Sequence, residues 1–395
     1  MRVAYVSNDD PRTALGWSGL RRRIALALEA AGAEIHYVGP LREAWSAFFK
    51  AKHVVHKLMG RAYARVREPV VVRGFARQVA RQIEGLGIDV VFSPSTIPVA
   101  LLDCPQPIVT WTDATFPCLY DYYPETRRLT RRSVRIGIEL EREAARRAAA
   151  LVYASRWAAD SAVRDVGADP ARVHVVPFGA SVTDVPTPAE VRAAADARPA
   201  DRCRILFIGV DFARKGGDVV IDAARAMNEA GTPTEVSVVG STPPGGSPAF
   251  VKPFGFVNKF TPEGRLTMNR LLAEAHFLLL PSHAEAYGLA PCEANAYGVP
   301  ALTAATGGLT EIVRDGRNGF SFPVGTPGRT YAGKMLEVLA DRDRYRALCA
   351  TAREEYDARL NWDSAARHVR RILDDVLAHR KASARALADD SASRG

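Results

Sequence analysis

The sequence predicts an α/β protein with two doubly wound domains, and three observations carry this prediction. The chain has 395 residues, which exceeds the size at which one hydrophobic core stops growing. Short apolar runs of strand length alternate with helical stretches along both halves, as in parallel sheets covered by helices. Between residues 182 and 200 the composition changes abruptly to threonine, proline, aspartate and alanine, which is typical of a linker.

These observations divide the chain into five predicted segments. We expect an N-terminal domain at residues 1–181, the linker at 182–200 and a C-terminal domain at 201–360. A closing helix at 361–380 is expected to pack back on the N-terminal domain, and residues 381–395 are expected to form a flexible tail.

Composition excludes several classes of protein. The hydrophobic content of 47% and charged content of 25% are ordinary for a soluble domain, and no apolar run approaches a membrane span in length. The first apolar run is too short and too soon followed by aspartate to be a signal peptide, so we expect a cytoplasmic protein. The five cysteines include no C-x-x-C pair, which indicates neither a disulfide framework nor a zinc site.

The formal net charge of +9 allows an anionic partner, such as nucleic acid, an acidic membrane or a phosphorylated substrate. The abundance of arginine and alanine fits a compositional bias equally well. The charge alone therefore assigns no partner.

The first half begins like a doubly wound domain. A strand at residues 2–7 is followed by a helix predicted from Ser18 to Ala31, with Ser18 as its cap, and by a second strand at 34–38. The intervening loop brings Gly16 and Gly19 to a helix N-terminus, where backbone N–H groups can cradle a phosphate.

Asp113 is the first candidate functional carboxylate. It follows a short apolar run at residues 108–111, and the carboxyl end of a parallel strand faces the ligand crevice. A carboxylate in this position is suited to binding a substrate hydroxyl or steering a proton. The alternative is that Asp113 caps the next segment.

Residues 41–85 are helical in tendency and strongly basic, with Trp45, Phe48, Phe49 and Tyr63 interleaved among the lysines and arginines. A basic amphipathic helix of this kind can lie on an anionic membrane. The simpler interpretation, which we favour, is an ordinary surface helix whose aromatic residues face the core.

The remaining elements follow from apolar periodicity and helix caps. The other predicted helices are at residues 127–149, 156–166, 219 onward, 261–275, 324–348 and 361–378. The other predicted strands are at residues 89–92, 151–154, 173–176, 203–209, 234–239, 251–256, 276–280 and 300–303.

A loop in the second half carries two adjacent cations. Gly209 ends a predicted strand, and Arg214 and Lys215 stand immediately before two further glycines and a helix. Cations and glycines at a helix N-terminus are typical of a diphosphate site, because the backbone can approach the ligand closely. A solvated basic turn is the alternative interpretation.

A second loop follows the predicted strand at residues 276–280 and carries Glu285, while Glu293 lies in the next helix. Two carboxylates around a glycine-bearing helix start can bind separate parts of one elongated ligand. Alternatively, Glu293 only favours the helix dipole and Glu285 is a solvated loop residue.

Together these motifs resemble the family-4 retaining glycosyltransferases, which have the GT-B fold of two Rossmann-like domains facing across a cleft. The resemblance covers essentially the whole chain, and its most specific pieces lie in the second half in the expected order. They are Gly209-x-x-x-x-Arg214-Lys215-Gly216, the E-x7-E signature from Glu285 to Glu293, and the segment from Gly307 to Phe320. Ser155-Arg156-Trp157 and Val176-Pro177-Phe178-Gly179 resemble the end of the family's N-terminal domain.

The resemblance implies transfer of a hexosyl group, with retention, from a nucleoside-diphosphate sugar to an acceptor hydroxyl. It implies that Arg214 and Lys215 neutralise the donor diphosphate, that Glu285 faces the sugar and that Glu293 binds the ribose diol. The amides around Ala286, Tyr287 and Gly288 would hold sugar hydroxyls. The backbone near Gly16 and Gly19 would close over the phosphate, and Gly209 and Leu289 complete the donor-binding set.

No metal or other cofactor is expected, because Arg214 and Lys215 can neutralise the diphosphate. The D-x-D string Asp341-Arg342-Asp343 lies in a polar helical stretch and is predicted to be surface.

Two positions depart from the family. The loop usually reads Glu-Gly-Phe-Gly but here reads Glu285-Ala286-Tyr287-Gly288, and many members have a histidine where this chain has Asp113.

The acceptor, whether a glycan, a lipid or a small molecule, stays open, as does peripheral contact with the inner face of an anionic membrane. Alternative functions are a nucleotide-sugar epimerase, a glucan synthase-like enzyme, or a basic membrane- or nucleic-acid-binding protein without catalysis. Since no recognition helix or stacking sheet is evident, a nucleic-acid partner is not expected.

Overall fold

The computed structural model describes residues 1–13 and 17–393 and contains two compact units. Unit 1 comprises residues 1–176 and 365–395, and unit 2 comprises residues 177–364. Each unit has a six-stranded parallel sheet with helices around it. The predicted α/β class with two doubly wound domains is confirmed.

Six parallel strands form the sheet of unit 1. They are β1 (Arg2–Val6), β2 (Glu34–Val38), β3 (Val90–Ser93), β4 (Ile108–Thr112), β5 (Ala148–Tyr153) and β6 (Val173–Val175). Their order is β2-β1-β3-β4-β5-β6. The central strands β3 and β4 are buried along their whole length, as expected where helices cover both faces of a parallel sheet.

Among the described residues, six α-helices precede or connect these strands. They are α1 (Leu20–Ala30), α2 (Ser46–Leu58), α3 (Pro69–Ile83), α4 (Phe116–Leu119), α5 (Arg131–Arg147) and α6 (Arg156–Ser161). Side chains cap three of them, α4, α5 and α6. The predicted cap at Ser155 is confirmed, because its side chain accepts a hydrogen bond from the backbone N–H of Ala158.

Two predicted helix starts in unit 1 are wrong. Helix α1 begins at Leu20 rather than Ser18, because Trp17–Gly19 form a 3-10 turn and Gly19, with φ of 76°, precedes the helix. Gly16 lies outside the described residues. Helix α5 begins at Arg131 rather than Arg127, because Pro124–Arg128 form another 3-10 turn.

The basic stretch at residues 41–85 forms two helices with opposite burial. Helix α3 buries an apolar face that includes Val71, Phe75 and Val79. Of the residues of α2, all of which are described, Phe49 alone is buried. The favoured prediction of a core-facing aromatic stripe is therefore wrong for α2, because Phe48 is 59% exposed.

The sheet of unit 2 also has six parallel strands. They are β7 (Cys203–Ile208), β8 (Thr234–Val239), β9 (Val251–Gly255), β10 (Phe277–Leu280), β11 (Ala301–Ala304) and β12 (Gly319–Phe322). Their order is β12-β11-β10-β7-β8-β9. The strand order therefore reverses between β7 and β10, and in doubly wound sheets ligands bind at this switch point, outside the carboxyl ends of the strands.

Seven helices belong to unit 2. They are α7 (Pro188–Ala197), α8 (Gly217–Glu229), α9 (Pro262–Glu274), α10 (Leu289–Ala296), α11 (Leu309–Ile312), α12 (Gly328–Leu339) and α13 (Arg342–Arg359). Helix α7 lies within the predicted linker and buries Val191 and Ala195. The helix predicted at residues 324–348 is divided in two, because the Asp341 side chain caps α13 by accepting from the backbone N–H groups of Asp343 and Arg344.

The last helix, α14 (Trp362–Ser393), continues through most of the predicted tail. Its residues from Ala365 onward belong to unit 1, where Arg370 Nη1 donates to the Ala31 carbonyl at 2.9 Å. Among the residues described, no helix combines the length and the apolar character that crossing a membrane requires.

Candidate active site

The loop after β7 forms a compact turn that places Arg214 and Lys215 at the start of α8. The Asp211 carboxylate accepts a hydrogen bond from the Arg214 backbone N–H at 3.1 Å, and the Asp211 carbonyl accepts from the Lys215 N–H at 3.1 Å. Gly216 has φ of 74°, and a Cβ there would collide with the Pro281 carbonyl. A glycine at this position therefore allows the loops after β7 and β10 to pack together at the switch point.

The two loops meet in a cluster of three charged side chains. Lys215 Nζ lies 2.5 Å from Glu285 Oε2, and Arg214 Nη1 lies 3.8 Å from the same oxygen. Arg214 Nη1 also donates to the Ala284 carbonyl at 2.6 Å. The exposed fraction of the side chain is 18% for Arg214, 13% for Lys215 and 12% for Glu285. Solvent therefore screens their charges only weakly. Gly209 makes room for this cluster, because a Cβ there would overlap the Lys215 side chain.

Glycines also determine the shape of the loop after Glu285. Gly288 caps α10 with φ of 93°, and a Cβ there would lie 2.6 Å from Leu309 Cδ2. The backbone N–H of Gly308 donates to the carbonyls of Glu285 and Ala286, both at 3.1 Å. The Gly-rich segment before α11 thus braces the loop, while Leu289 begins α10 and places that helix N-terminus at the switch point.

The Tyr287 side chain points into the core of unit 2. It is 2% exposed, its hydroxyl donates to the Phe178 carbonyl at 2.8 Å, and its ring packs edge-on against Phe178 with centroids 5.2 Å apart. Burial raises the pKa of the Tyr287 hydroxyl well above its ordinary value, so it remains a hydrogen-bond donor. The tyrosine at this departure from the family's pattern is therefore a packing residue.

Glu293 lies in α10 and is buried, with 1% of its side chain exposed. Its Oε1 is paired with the ammonium of Lys259, which follows β9 and is 29% exposed. Because a buried carboxylate without a partner is costly, the ion pair with Lys259 stabilises Glu293 in its buried position. Lys259 was missed in the sequence because a single lysine between an edge strand and a helix has no motif around it.

In unit 1, Asp113 follows β4 and its Oδ2 accepts a hydrogen bond from Trp17 Nε1 at 3.0 Å. The contact joins the loop after β1 to the end of β4. The alternative role of Asp113 as a helix cap is not observed, because Thr115 caps α4. Gly19 lies in the same loop, directly before α1.

The structure thus brings together Arg214, Lys215 and Glu285 within unit 2, and Asp113 with Trp17 within unit 1. Over residues 1–13 and 17–393, no group of three or more His, Cys, Asp or Glu side chains is arranged to hold a metal ion. Asp341 of the D-x-D string serves as the cap of α13.

Two family models match the chain. Residues 22–183 match the model described as Glycosyltransferase Family 4, and residues 202–341 match the model described as Glycosyl transferases group 1. The first match lies in unit 1 apart from its last residues, and the second lies in unit 2.

Among curated proteins, the chain is similar to D-inositol 3-phosphate glycosyltransferases. It is 34% identical to that of Xylanimonas cellulosilytica over 234 residues, covering 55% of this chain and 54% of the relative. It is also 34% identical to that of Streptomyces scabiei over 245 residues, covering 57% and 54%. The chain spans about half the length of the curated relatives it matches.

Solved structures share the fold over nearly the whole chain. Sucrose-phosphate synthase from Thermosynechococcus elongatus has a TM-score of 0.68 at 18% identity, covering 96% of this chain and 99% of that one. Anabaena HepE, in complex with UDP-glucose, has a TM-score of 0.61 at 17% identity, covering 95% and 100%. At such identities the likeness concerns the fold alone.

Proposed function

We propose that this chain, which belongs to the family-4 glycosyltransferases with the GT-B fold, transfers a hexosyl group from a nucleoside-diphosphate sugar to an acceptor hydroxyl with retention and without a metal ion. The observation that carries the proposal is the cluster of Arg214, Lys215 and Glu285 at the switch point of unit 2. The UDP-glucose bound by HepE, which has the same fold, supports the donor class.

The donor diphosphate is proposed to bind at Arg214, Lys215 and the N-terminus of α8. Cleavage of the glycosidic bond leaves negative charge on the diphosphate, and fixed cations with a helix N-terminus stabilise that charge as it develops. In the unliganded chain Lys215 is paired with Glu285. A diphosphate carries more negative charge than one carboxylate, so we expect it to take over the Lys215 ammonium and leave Glu285 available to the sugar.

The sugar is proposed to lie against Glu285 and the main chain of residues 286–288. Positive charge develops at the anomeric carbon in the transition state, and a carboxylate beside it is stabilising. Same-face attack, with the leaving phosphate oxygen taking the acceptor proton, requires no nucleophilic side chain. We therefore assign none.

Glu293 is proposed to accept hydrogen bonds from the ribose diol. Its Oε1 is paired with Lys259, which leaves the other carboxylate oxygen for the ligand. We infer that Lys259 positions Glu293 before the donor arrives, since removal of one member of a buried pair leaves an uncompensated charge.

The acceptor side of the reaction is assigned to unit 1, where Trp17 holds the Asp113 carboxylate. Asp113 would accept a hydrogen bond from the reacting hydroxyl. Polyol phosphates are the first acceptors to test, because the curated relatives are D-inositol 3-phosphate glycosyltransferases. We place the reaction in the cytoplasm, where nucleotide sugars are available.

The first experiment is a thermal-stability screen with nucleotide sugars, because a ligand that binds only the native state raises its apparent stability. We expect one nucleotide sugar to stabilise the wild type and not Arg214→Ala/Lys215→Ala. The matched control, Arg225→Ala/Lys252→Ala, removes two exposed cations from the same unit and should respond like wild type. The proposal fails if no nucleotide sugar stabilises the wild type.

The stabilising donor is then incubated, isotopically labelled at its anomeric carbon, with polyol phosphates, glycans and lipid acceptors. We expect a product whose anomeric configuration matches that of the donor, formed equally well in the presence of EDTA. A new sugar nucleotide formed without acceptor would identify an epimerase instead. An elongating glucan would identify a glucan synthase-like enzyme.

A further inference from the structure

Helix α2 of unit 1 presents an apolar stripe to solvent. The stripe consists of six large side chains, each more than half exposed, at positions 45, 48, 54, 55, 58 and 59. Leu58 is 83% exposed and Trp45, which precedes the helix, is 71% exposed. Phe48, Val55 and Leu58 lie on one side of the helix because their spacings of seven and three match its turns. A concentration of exposed apolar side chains on one helix is typical of an interaction surface.

The orientation of the stripe is determined by the contacts that α2 makes with the rest of unit 1. Phe49 is the buried residue of the helix, and Lys52 Nζ lies 3.4 Å from Glu68 Oε1 and 4.6 Å from the centre of the Tyr63 ring. Glu68 is itself held by Arg132 at 3.0 Å and by the Tyr63 hydroxyl at 2.5 Å. Helix α2 is therefore anchored with its apolar stripe facing outward.

Cations lie beside the stripe. Lys50 and Lys57 are exposed on α2, and a cavity of about 490 Å³ opens near the end of the helix. The cavity is lined by His53, Lys57, Gly60, Arg61, Ala62, Pro124, Glu125 and Arg128. Three cations face one carboxylate there, so the cavity is suited to a phosphate group.

We propose that α2 and this cavity form a docking surface for an anionic phospholipid bilayer. Helix α2 would lie in the membrane plane, with the stripe among the head groups and upper acyl chains, while Lys50, Lys57, Arg61 and Arg128 bind lipid phosphates. Apolar residues flanked by lysine and arginine are the combination that in-plane amphipathic helices use. A nucleic acid would leave the apolar stripe without a partner, so charge complementarity together with the stripe favours a bilayer.

The test is sedimentation of the full chain with phosphatidylcholine vesicles that contain or lack phosphatidylglycerol. We expect binding that requires phosphatidylglycerol and weakens as salt increases. Lys57→Glu/Arg61→Glu should lower the affinity at least about thirtyfold, since each cation near an anionic surface contributes about 1 kcal/mol and the two glutamates add repulsion. Phe48→Ser/Leu58→Ser should lower it about tenfold through lost apolar burial.

Matched controls come from unit 2. Phe256→Ser/Leu266→Ser removes an equally exposed phenylalanine and leucine, at 77% and 71% exposure, and Arg192→Glu/Arg329→Glu makes the same change in net charge. Both should bind vesicles like wild type, with unchanged circular dichroism. Failure of the wild type to bind, or equal losses in the controls, would overturn the proposal. If Lys57→Glu/Arg61→Glu loses vesicle affinity and Phe48→Ser/Leu58→Ser does not, then the apolar stripe does not insert into the bilayer.

A second measurement reports insertion directly. Brominated acyl chains quench a tryptophan that enters the bilayer, and Trp45 stands at the start of the stripe. We expect quenching in the wild type and little in Trp45→Phe, which retains the other four of the five tryptophans. Equal quenching in both proteins would show that another surface meets the membrane. Neither readout requires transfer activity, so failure here leaves the proposed function untouched.

Discussion

The two sheets are built alike, yet the loops at their carboxyl ends carry different chemistry. In unit 2 the loops after β7 and β10 place two cations and a carboxylate within 4 Å of one another. In unit 1 the described part of the loop after β1 meets the end of β4 through the hydrogen bond from Trp17 to Asp113. The same scaffold thus holds concentrated, preorganised charge in one unit and a single oriented carboxylate in the other.

The difference matches the ligands proposed for the two units. A diphosphate leaving group is highly charged, and its stabilisation depends on fixed cations in a poorly solvated site. An acceptor hydroxyl is neutral and needs only one well-placed hydrogen-bond acceptor. The two units also differ in the burial of individual helices. Helix α10 of unit 2 buries seven of its eight residues, whereas α2 of unit 1 buries only Phe49.

The largest expected effect is at the charged cluster of unit 2. Glu285→Gln and Lys215→Ala should each lower kcat/KM about a hundredfold to a thousandfold, the loss typical of removing one preorganised electrostatic group from an active site. Initial-rate measurements with the donor found by thermal screening test this. Glu274→Gln, which removes a half-exposed carboxylate of the same unit, should keep full activity.

Lys215→Ala and Glu285→Gln should differ in their affinity for the nucleoside diphosphate. Lys215→Ala should weaken the nucleoside diphosphate about tenfold or more, because a charge-assisted hydrogen bond is lost. Glu285→Gln should bind it as well as wild type or better, since Lys215 is released from its ion pair. Calorimetric titration separates the two cases. Weaker binding in Glu285→Gln would contradict the proposed division between sugar and diphosphate.

The second-largest expected effect concerns the acceptor site proposed in unit 1. Asp113→Asn should lower kcat/KM about tenfold to a hundredfold, the loss expected when a hydrogen bond to a charged group is weakened, while nucleoside diphosphate binding stays unchanged. Trp17→Phe, which removes an indole N–H that donates to Asp113, should cost less, about fivefold, because the carboxylate is retained and loses only part of its orientation. Asp103→Asn, an exposed change in the same unit, is the control. Full activity of Asp113→Asn would contradict the proposal that Asp113 binds the acceptor hydroxyl.

The sequence was sufficient to predict the fold and the two loops that carry Arg214, Lys215 and Glu285, because their signals are local. Strands β7 and β10 are short apolar runs, and each is followed by a loop with glycine and charge. In the observed sheet order the carboxyl ends of these strands are neighbours, which brings Arg214 and Glu285 together; their ion pair was not predicted. Strand β12 was missed because Gly-Phe-Ser-Phe is short and lies at the sheet edge.

What the sequence could not predict depends on contacts between distant residues. The inward direction of Tyr287 is determined by Phe178, and the pairing of Lys259 with Glu293 by the position of the loop after β9. The exposure of α2 depends on its anchorage by Lys52 and Glu68, since its sequence periodicity fits burial equally well. Asp341 ends the predicted long helix through its side chain, without the glycine or proline that would mark a break.

A third prediction concerns pH and the sheet of unit 2. His276 Nδ1 accepts from the Arg204 backbone N–H at 3.1 Å and its Nε2 lies 2.9 Å from the Pro199 carbonyl, so the neutral ring fits both partners. Burial lowers the pKa of His276 from 6.5 to about 4. The unfolded chain therefore binds the additional proton between these values, and stability present above pH 6.5 is lost as pH falls towards 4.

Between pH 7 and 5 this histidine should remove about 2 kcal/mol at most from the free energy of unfolding. His276→Gln keeps an acceptor and a donor but does not titrate, so its urea midpoint should depend less on pH than that of wild type. His174→Gln in β6 of unit 1 is the comparison, because half-burial also lowers the pKa of His174. If the pH dependence of stability is unchanged in His276→Gln, then His276 is not the group that causes it.

The smallest effect distinguishes packing from ligand binding at Tyr287. Tyr287→Phe removes the hydrogen bond to the buried Phe178 carbonyl and should lower the free energy of unfolding by about 1 kcal/mol. Donor affinity and kcat should stay close to wild type, because only the main chain of Tyr287 is proposed to contact the sugar. Tyr331→Phe, a similarly buried tyrosine of α12, serves as the control for loss of a hydroxyl. If Tyr287→Phe instead changes the preference among donor sugars, then its hydroxyl reaches the sugar site and the charged cluster is not the whole of the donor site in unit 2.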